Sequence, residues 1–448
     1  MFIFYLSGFF VCFAYFVCSV IYSSMPYKTV LILALIIAIP AQPTGRLETI
    51  TRKLTSPEFD GRAFKSEGGL KAAQFIAENF KQIGLKPVRS GNDAYLQKIA
   101  GGGQNVIASI EGRDPGLKKE SVIICASYDA FGGKFAGAMD NAAGVALLFE
   151  IAREMVKSPP ARSLIFIAFD GSEQGMAGAV FYSANPLVSL DVTAAAINLT
   201  GFGGGWSERK HDTINIVGSE FSPQLRSVLS DLKDPDKPTA ILGADVFNRI
   251  EGEHLLPGLG RVPVLGMTSG FHYAYHSQAD TADRINYPSL EKTSSSLTGI
   301  VRRIADNPGR IERTGEPVYD EDESMAWYSI LLALRENLLK SPSNDAAQAK
   351  IDDALLELNR HKGRPVQDLA AREAVIRRAA DICFFIANPN GVEYSNMLNN
   401  AKNLQDRGEK QKAIEAYRKL LKFVEEEYRL DTRRENEIRS RLKVLESK

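Results

Sequence analysis

Short runs of β-branched and aliphatic residues, each bounded by turn residues, recur along the first 270 residues of this chain, and helical patterns separate several of them. The runs cover 105–110, 121–126, 163–169, 194–199, 213–217 and 262–267, and the helical stretches cover 142–156, 223–232 and 287–305. An earlier amphipathic helix is predicted over 65–82, where Leu70, Ala73, Phe75, Ile76 and Phe80 share helical spacing and Gly84 ends the pattern. Strands that alternate with helices in this way bury their apolar faces as a three-layer α/β domain with a largely parallel central sheet. Functional residues in such a sheet gather at the carboxyl ends of the strands.

Beyond about residue 310 the β-branched runs thin out, and 323–340, 345–360, 368–388 and 394–445 read as charged helices, an all-helical C-terminal region. Within it Ala401, Gly408, Ala413 and Tyr417 stand at the spacing of a tetratricopeptide-like helix pair over about 394–428, a pattern that also suits an ordinary helical hairpin. A single pair cannot bury its own apolar face, so it should pack on the other helices, on the α/β domain or on a second chain. The expected division is therefore a leader or membrane segment at 1–41, the α/β domain at 45–309 and the helical region at 310–448.

The leader contains two apolar runs. Residues 2–22 are long enough to span a bilayer, whereas Met25-Pro-Tyr-Lys28, the apolar stretch 29–39 and Pro40-Ala41 have the parts of a signal peptide with cleavage near Gln42. Either reading puts residues 45–448 outside the cytoplasm, secreted or periplasmic in one case and held by an N-terminal membrane anchor in the other. Lys plus Arg and Asp plus Glu are equal at 54 each, so no overall field draws the protein to nucleic acid or to an anionic membrane. A partner, a peptide or protein ligand, must be recognised locally. Four cysteines are too few for a disulfide framework, and Cys125 and Cys383 read as buried thiols.

Three loops carry the candidate chemistry. The first runs from Ser127-Tyr128-Asp129 through a Gly-rich stretch to Asp140-Asn141, the second is Asp170-Gly171-Ser172-Glu173, and the third is Tyr273-Ala274-Tyr275-His276-Ser277-Gln278-Ala279-Asp280. Taken singly, each has an ordinary explanation. Asp140 enters a helix and could be its N-cap, a strand-end carboxylate is often solvated, and a lone histidine is often a satisfied side chain.

Together and in this order the segments resemble metallopeptidase family 28, which contains dizinc aminopeptidases, glutamate carboxypeptidase and glutaminyl cyclases. The resemblance runs from about Leu47 to Asn307 and is carried by LTSPEFDGRAFKSEGG, NVIASIEGRD, AMDNAAGVALLFEIAR and YHSQADTADRIN. It implies that Asp140 stands where an aspartate bridges two zinc ions, with Glu173 and His276 as the remaining ligands of one of them. The other zinc of the family needs a His at Ser127 (SYD) and an Asp at Thr200 (NLT), and the family's general base would be a Glu at Ser172 (GSE). The resemblance therefore implies one intact site, at most one zinc, and no carboxylate base. Its implied function is an exported aminopeptidase homologue, weak or inactive as a peptidase, that binds a peptide or protein partner; the alternative is a single-zinc exopeptidase. Of the other candidates, Asp170 is a poor stand-in base because it is expected to point away from the cleft, His272 is expected to be a surface or aromatic-packed histidine rather than one that reaches towards the empty site, and Asp129 is expected to serve as a hydrogen-bond acceptor within its loop.

Overall fold

Among the described residues nine strands form one sheet: β1 (Lys86–Pro87), β2 (Leu96–Lys98), β3 (Gln104–Ile110), β4 (Ser121–Ser127), β5 (Ser163–Phe169), β6 (Thr193–Leu199), β7 (Ile214–Val217), β8 (Thr239–Leu242) and β9 (Val264–Thr268). The computed structural model describes residues 45–91, 93–206, 213–230, 239–245, 261–270, 272, 274–338, 345–429 and 432–447. The apolar runs of 1–41 and Tyr273 of the third loop lie outside them. The spatial order is β1-β3-β5-β4-β6-β9-β7-β8, with β2 also paired to β3. The central pairs β5–β4, β4–β6 and β6–β9 are parallel, as the pattern predicts. Antiparallel pairing of β1, β2 and β5 to β3 on one side, and of β7 to β9 on the other, makes the whole sheet mixed.

All seven residues of β4 are buried, which is why the central strands read as continuous apolar runs. Their side chains alternate between two cores. Val122, Ile124 and Ala126 join a core with helices α1 (Arg46–Leu54), α2 (Glu67–Ile83), α3 (Ala143–Lys157) and, after the shorter α4 (Ala177–Ala184) and α5 (Pro223–Ser230), α6 (Tyr287–Asp306). Ile123 and Cys125 face the opposite core with Ala179 and Tyr182 of α4. Helix α2 has the ends its sequence foretells: Ser66 accepts the Gly69 N–H, and Gly84 closes it at φ 99°, where a side chain would be strained.

The remaining helices are α7 (Glu323–Leu338), α8 (Asp345–Arg360), α9 (Leu369–Arg372), which continues through a wider turn at Glu373–Arg377 into α10 (Arg378–Ala387), then α11 (Pro389–Asp406), α12 (Lys410–Glu426) and α13 (Thr432–Glu446). Helices α11 and α12 form a hairpin around Gly408. The helical region is not detached from the sheet: Trp327, Ile330 and Leu331 of α7 share a core with Trp206, Val217 and Leu242. No helix among the described residues is long and apolar enough to cross a membrane. Cys125 and Cys383 are buried free thiols.

A buried ionic joint reinforces this contact. Arg372, 2% exposed, donates to Asp245 and to Glu323, each with contacts of 2.7 Å, and its guanidinium lies 3.3 Å from the Tyr319 ring centre. Glu323 in turn accepts the Gly243 N–H, and Glu220 accepts the N–H of Ala244. Burial pushes the Glu220 carboxyl up to about 7 from 4.5. Between those pH limits the folded chain holds a proton that the unfolded chain has released, so stability present at low pH is lost as pH rises towards 7. Glu220→Gln, neutral throughout, should match the wild type near pH 4.5 and exceed it at pH 8 by up to roughly 3 kcal/mol. Denaturation midpoints at the two pH values measure this, and parallel pH dependences would contradict it.

Candidate metal centre

The three loops converge because the parallel strands that feed them lie side by side. Strands β5, β4, β6 and β9 run parallel and adjacent, and their carboxyl ends at Phe169, Ser127, Leu199 and Thr268 open on one edge of the sheet. Asp140 follows the loop after β4, Glu173 follows a turn at Gly171 (φ 73°) after β5, and His276 lies in the loop after β9. One ligand atom from each of these three lies within 4.8 Å of the other two. His276 Nε2 is 3.2 Å from Asp140 Oδ2 and 3.7 Å from Glu173 Oε2. This nitrogen is buried and makes no well-aligned hydrogen bond among the described residues, and it faces both carboxylates. Asp140 and Glu173 are 6% and 4% exposed, so two carboxylates are held close together out of water, an arrangement that favours a cation.

Two other buried carboxylates hold the ligand loops. Asp129 Oδ1 accepts both the N–H and the Oγ–H of Ser172 at 2.8 Å, and its Oδ2 accepts the Glu173 N–H at 3.1 Å. Asp280 does the same for the first loop, accepting the N–H groups of Met139 (2.9 Å) and Asp140 (3.1 Å). Burial raises the pKa of both Asp129 and Asp280. Partners of this kind orient ligands and tune a metal.

Arg62 supplies the opposing charge. It is fully buried and donates to the carbonyl oxygens of Leu54, Tyr128, Ala136 and Gly137 at 2.6–2.8 Å. Burial lowers its pKa to about 10 against the pull of Asp129, Asp280, Asp140 and Glu173. The guanidinium thus ties the first loop to the start of the domain and offsets the carboxylates around the site. Sequence reasoning assigned Arg62 and Asp280 no role, although both stand in the segments that carry the family resemblance. A lone Arg or Asp in a polar loop carries no local sign of burial.

Of the three positions at which the resemblance implies other residues, two have their hydroxyls engaged: Thr200 Oγ1 donates to Asn141 Oδ1 at 2.9 Å, and Ser172 Oγ donates to Asp129. Ser127 is a buried residue at the end of β4. Asp170 Oδ2 accepts the Gln104 N–H at 3.0 Å, which turns it towards β3 and away from the cluster, and burial pushes its carboxyl up to about 7. His272 is buried, with its ring edge-on to Tyr275.

Endoplasmic reticulum metallopeptidase 1 of Mus musculus is 27% identical over 226 residues, 48% of this chain and 23% of its own length. The alkaline phosphatase isozyme conversion protein of Escherichia coli (strain K12) is 27% identical over 143 residues, 27% of this chain and 40% of its own. The chain thus spans under half the length of these relatives. A leucine aminopeptidase precursor from Bacteroides thetaiotaomicron superposes with a TM-score of 0.43 at 18% identity, covering 59% of this chain and 97% of that one. Residues 105–301 match the profile of peptidase family M28. With the strand-end loops in the order the resemblance implies, residues 105–301 of this chain form a peptidase family M28 domain.

Proposed function

We propose that this protein is an exported metallo-aminopeptidase homologue that takes one zinc ion at Asp140, Glu173 and His276 and binds a peptide or protein partner in its cleft. On this reading it hydrolyses peptides weakly or not at all. The observation behind it is the contrast within one site: three ligand atoms lie within 4.8 Å of one another, whereas Ser172 and Thr200 spend their hydroxyls on Asp129 and Asn141. Two carboxylates and an imidazole suit zinc and offset its charge. Bound there, zinc would polarise a peptide carbonyl as a Lewis acid.

The chain's own residues would hold that arrangement. Asp129 and Asp280 fix the loops that present Glu173 and Asp140, and Arg62 lowers the cost of gathering the carboxylates. Proton transfer is the weak point. Ser172 occupies the position of the family's base, and its hydroxyl already donates to Asp129. A serine hydroxyl does not take up a proton reversibly near neutral pH, and a positioned base contributes roughly 100-fold to 10,000-fold. The preserved convergence of ligands favours, as a second reading, a single-zinc exopeptidase that removes N-terminal residues from peptides.

Metal analysis and an aminopeptidase assay on one purified sample separate these readings. No more than one zinc per chain and negligible turnover are expected. One zinc with ordinary release of amino acids would establish the exopeptidase, and two tightly held zinc ions would overturn both. Export is tested by the N-terminus of protein recovered outside the cytoplasm, expected near Gln42.

A further inference from the structure

The third ligand, His276, sits on a backbone that does not hold itself. Its φ is +56°, a left-handed conformation that a residue with a side chain keeps only when its surroundings impose it. Those surroundings include the far end of the chain. The Arg429 N–H donates to the His276 carbonyl at 3.0 Å, Ser277 and Tyr428 form an antiparallel bridge, and Gln278 Nε2 donates to the Glu426 carbonyl at 2.5 Å. Residues 426–429, which leave the end of α12, thus lie along the His276 loop as a short strap.

Aromatic packing joins the two segments. The Tyr275 ring stacks on His276 at 3.8 Å, Phe131 meets it edge-on at 4.8 Å, and Tyr428 lies 6.3 Å away. Tyr428 is 4% exposed and is held from the helical side: Asn388 Nδ2 donates to its hydroxyl at 3.2 Å, and the rings of Tyr394 and Phe423 lie about 6 Å from it. The Arg429 guanidinium lies over the Phe135 ring at 5.8 Å, and Phe135 packs edge-on against Phe131. The hairpin of α11 and α12 therefore reaches the ligand histidine through backbone bonds and through a continuous set of rings.

We propose that the strap at 426–429, carried by the C-terminal helical hairpin, positions His276 for metal binding, so that docking of the hairpin and metal affinity are coupled. This rests on the metal reading of the site. The coupling is reciprocal: metal held by His276 stabilises the docked hairpin, and whatever displaces the hairpin weakens the site. Tyr428, Arg429 and Gln278 are positioning residues in this scheme. The helical region then belongs to the metal centre.

The test uses the full chain and zinc alone. Arg429→Pro removes the N–H that bonds His276, and it suits the extended backbone of Tyr428 before it. Gln278→Ala is a milder second cut, at a side chain whose loss leaves every backbone bond in place. Calorimetric zinc titration should show affinity falling about tenfold or more for Arg429→Pro, as for other residues that orient metal-ligating histidines, and by less for Gln278→Ala. Tyr428→Phe, which keeps the ring but loses the hydroxyl that Asn388 holds, should lower affinity by less than Arg429→Pro. In metal-free protein, hydrogen exchange of the amides at 274–281 should quicken in Arg429→Pro, a readout independent of the metal. In wild type, zinc should slow exchange across 410–429. Equal zinc affinity and equal loop exchange in wild type and Arg429→Pro would overturn the strap while leaving the metal site standing. A wild-type chain that takes up no zinc would overturn the metal reading and the coupling with it.

Discussion

Ser172→Glu is expected to raise peptide hydrolysis by about 100-fold or more, the contribution of a positioned general base. Ser172 is 2% exposed and immediately precedes the candidate ligand Glu173, so a longer acidic side chain there starts beside the cluster. It cannot repeat the contact the serine makes, because Asp129 Oδ1 would then face a second carboxylate at hydrogen-bond distance. That repulsion favours rotamers that carry the new carboxylate away from Asp129, and Arg62 provides a positive field for the added charge. Ser172→Gln is the control, since it has the same size and takes up no proton. Turnover of aminoacyl substrates should rise in the glutamate variant alone, at unchanged zinc content. A gain shared by both variants would show that the effect is packing. Zinc bound without any gain would direct attention to the other two positions, and the triple change Ser127→His, Thr200→Asp and Ser172→Glu should then hold two zinc ions. If that variant also fails to cleave, the cleft has been remodelled for binding.

His276→Ala should abolish zinc binding. The imidazole is the one neutral donor of the three, and its removal leaves Asp140 and Glu173, two carboxylates from loops anchored separately by Asp280 and Asp129. A ligand that binds only the folded state stabilises it by about 2.7 kcal/mol at a concentration 100 times its dissociation constant. Wild type should therefore show a zinc-dependent rise in melting temperature, and His276→Ala none. Without metal the variant should melt close to wild type, because its main ring contacts, Tyr275 and Phe131, can still pack on the loop. A variant that keeps the full zinc-dependent shift would move the metal away from this cluster.

The elements legible in the sequence are those whose signal is local. The apolar runs of β3 to β6 and β9 stand out because a strand buried on both faces has no polar alternation, and α2 shows its Ser66 and Gly84 ends directly. Strands β1 and β2 have three residues or fewer, too short for periodicity to distinguish them from loop, and β8, no longer than the fully buried β7, alternates buried with half-buried residues and shows no continuous apolar run. The antiparallel attachment of β3 and β7 could not be read either, since strand direction depends on the path of the connections. In the site, Asp140, Glu173 and His276 were recognisable through the family's loop order. The engagement of Ser172 with Asp129 and of Thr200 with Asn141 was not, because a hydroxyl's partner is set by what the fold brings near it.

By itself the sequence determined the class of fold, the order of its chemical loops and the residue types at 127, 172 and 200, since each of these is written in neighbouring residues. Only the tertiary structure decided that Arg62 would be buried on four carbonyl oxygens, that Asp280 would hold the Asp140 loop, and that the C-terminal helices would reach His276. The Gln278 bond to Glu426 joins residues 148 positions apart. Contacts at that range arise where packed layers bring two loops to the same edge of the sheet, and no periodicity within either loop encodes the meeting.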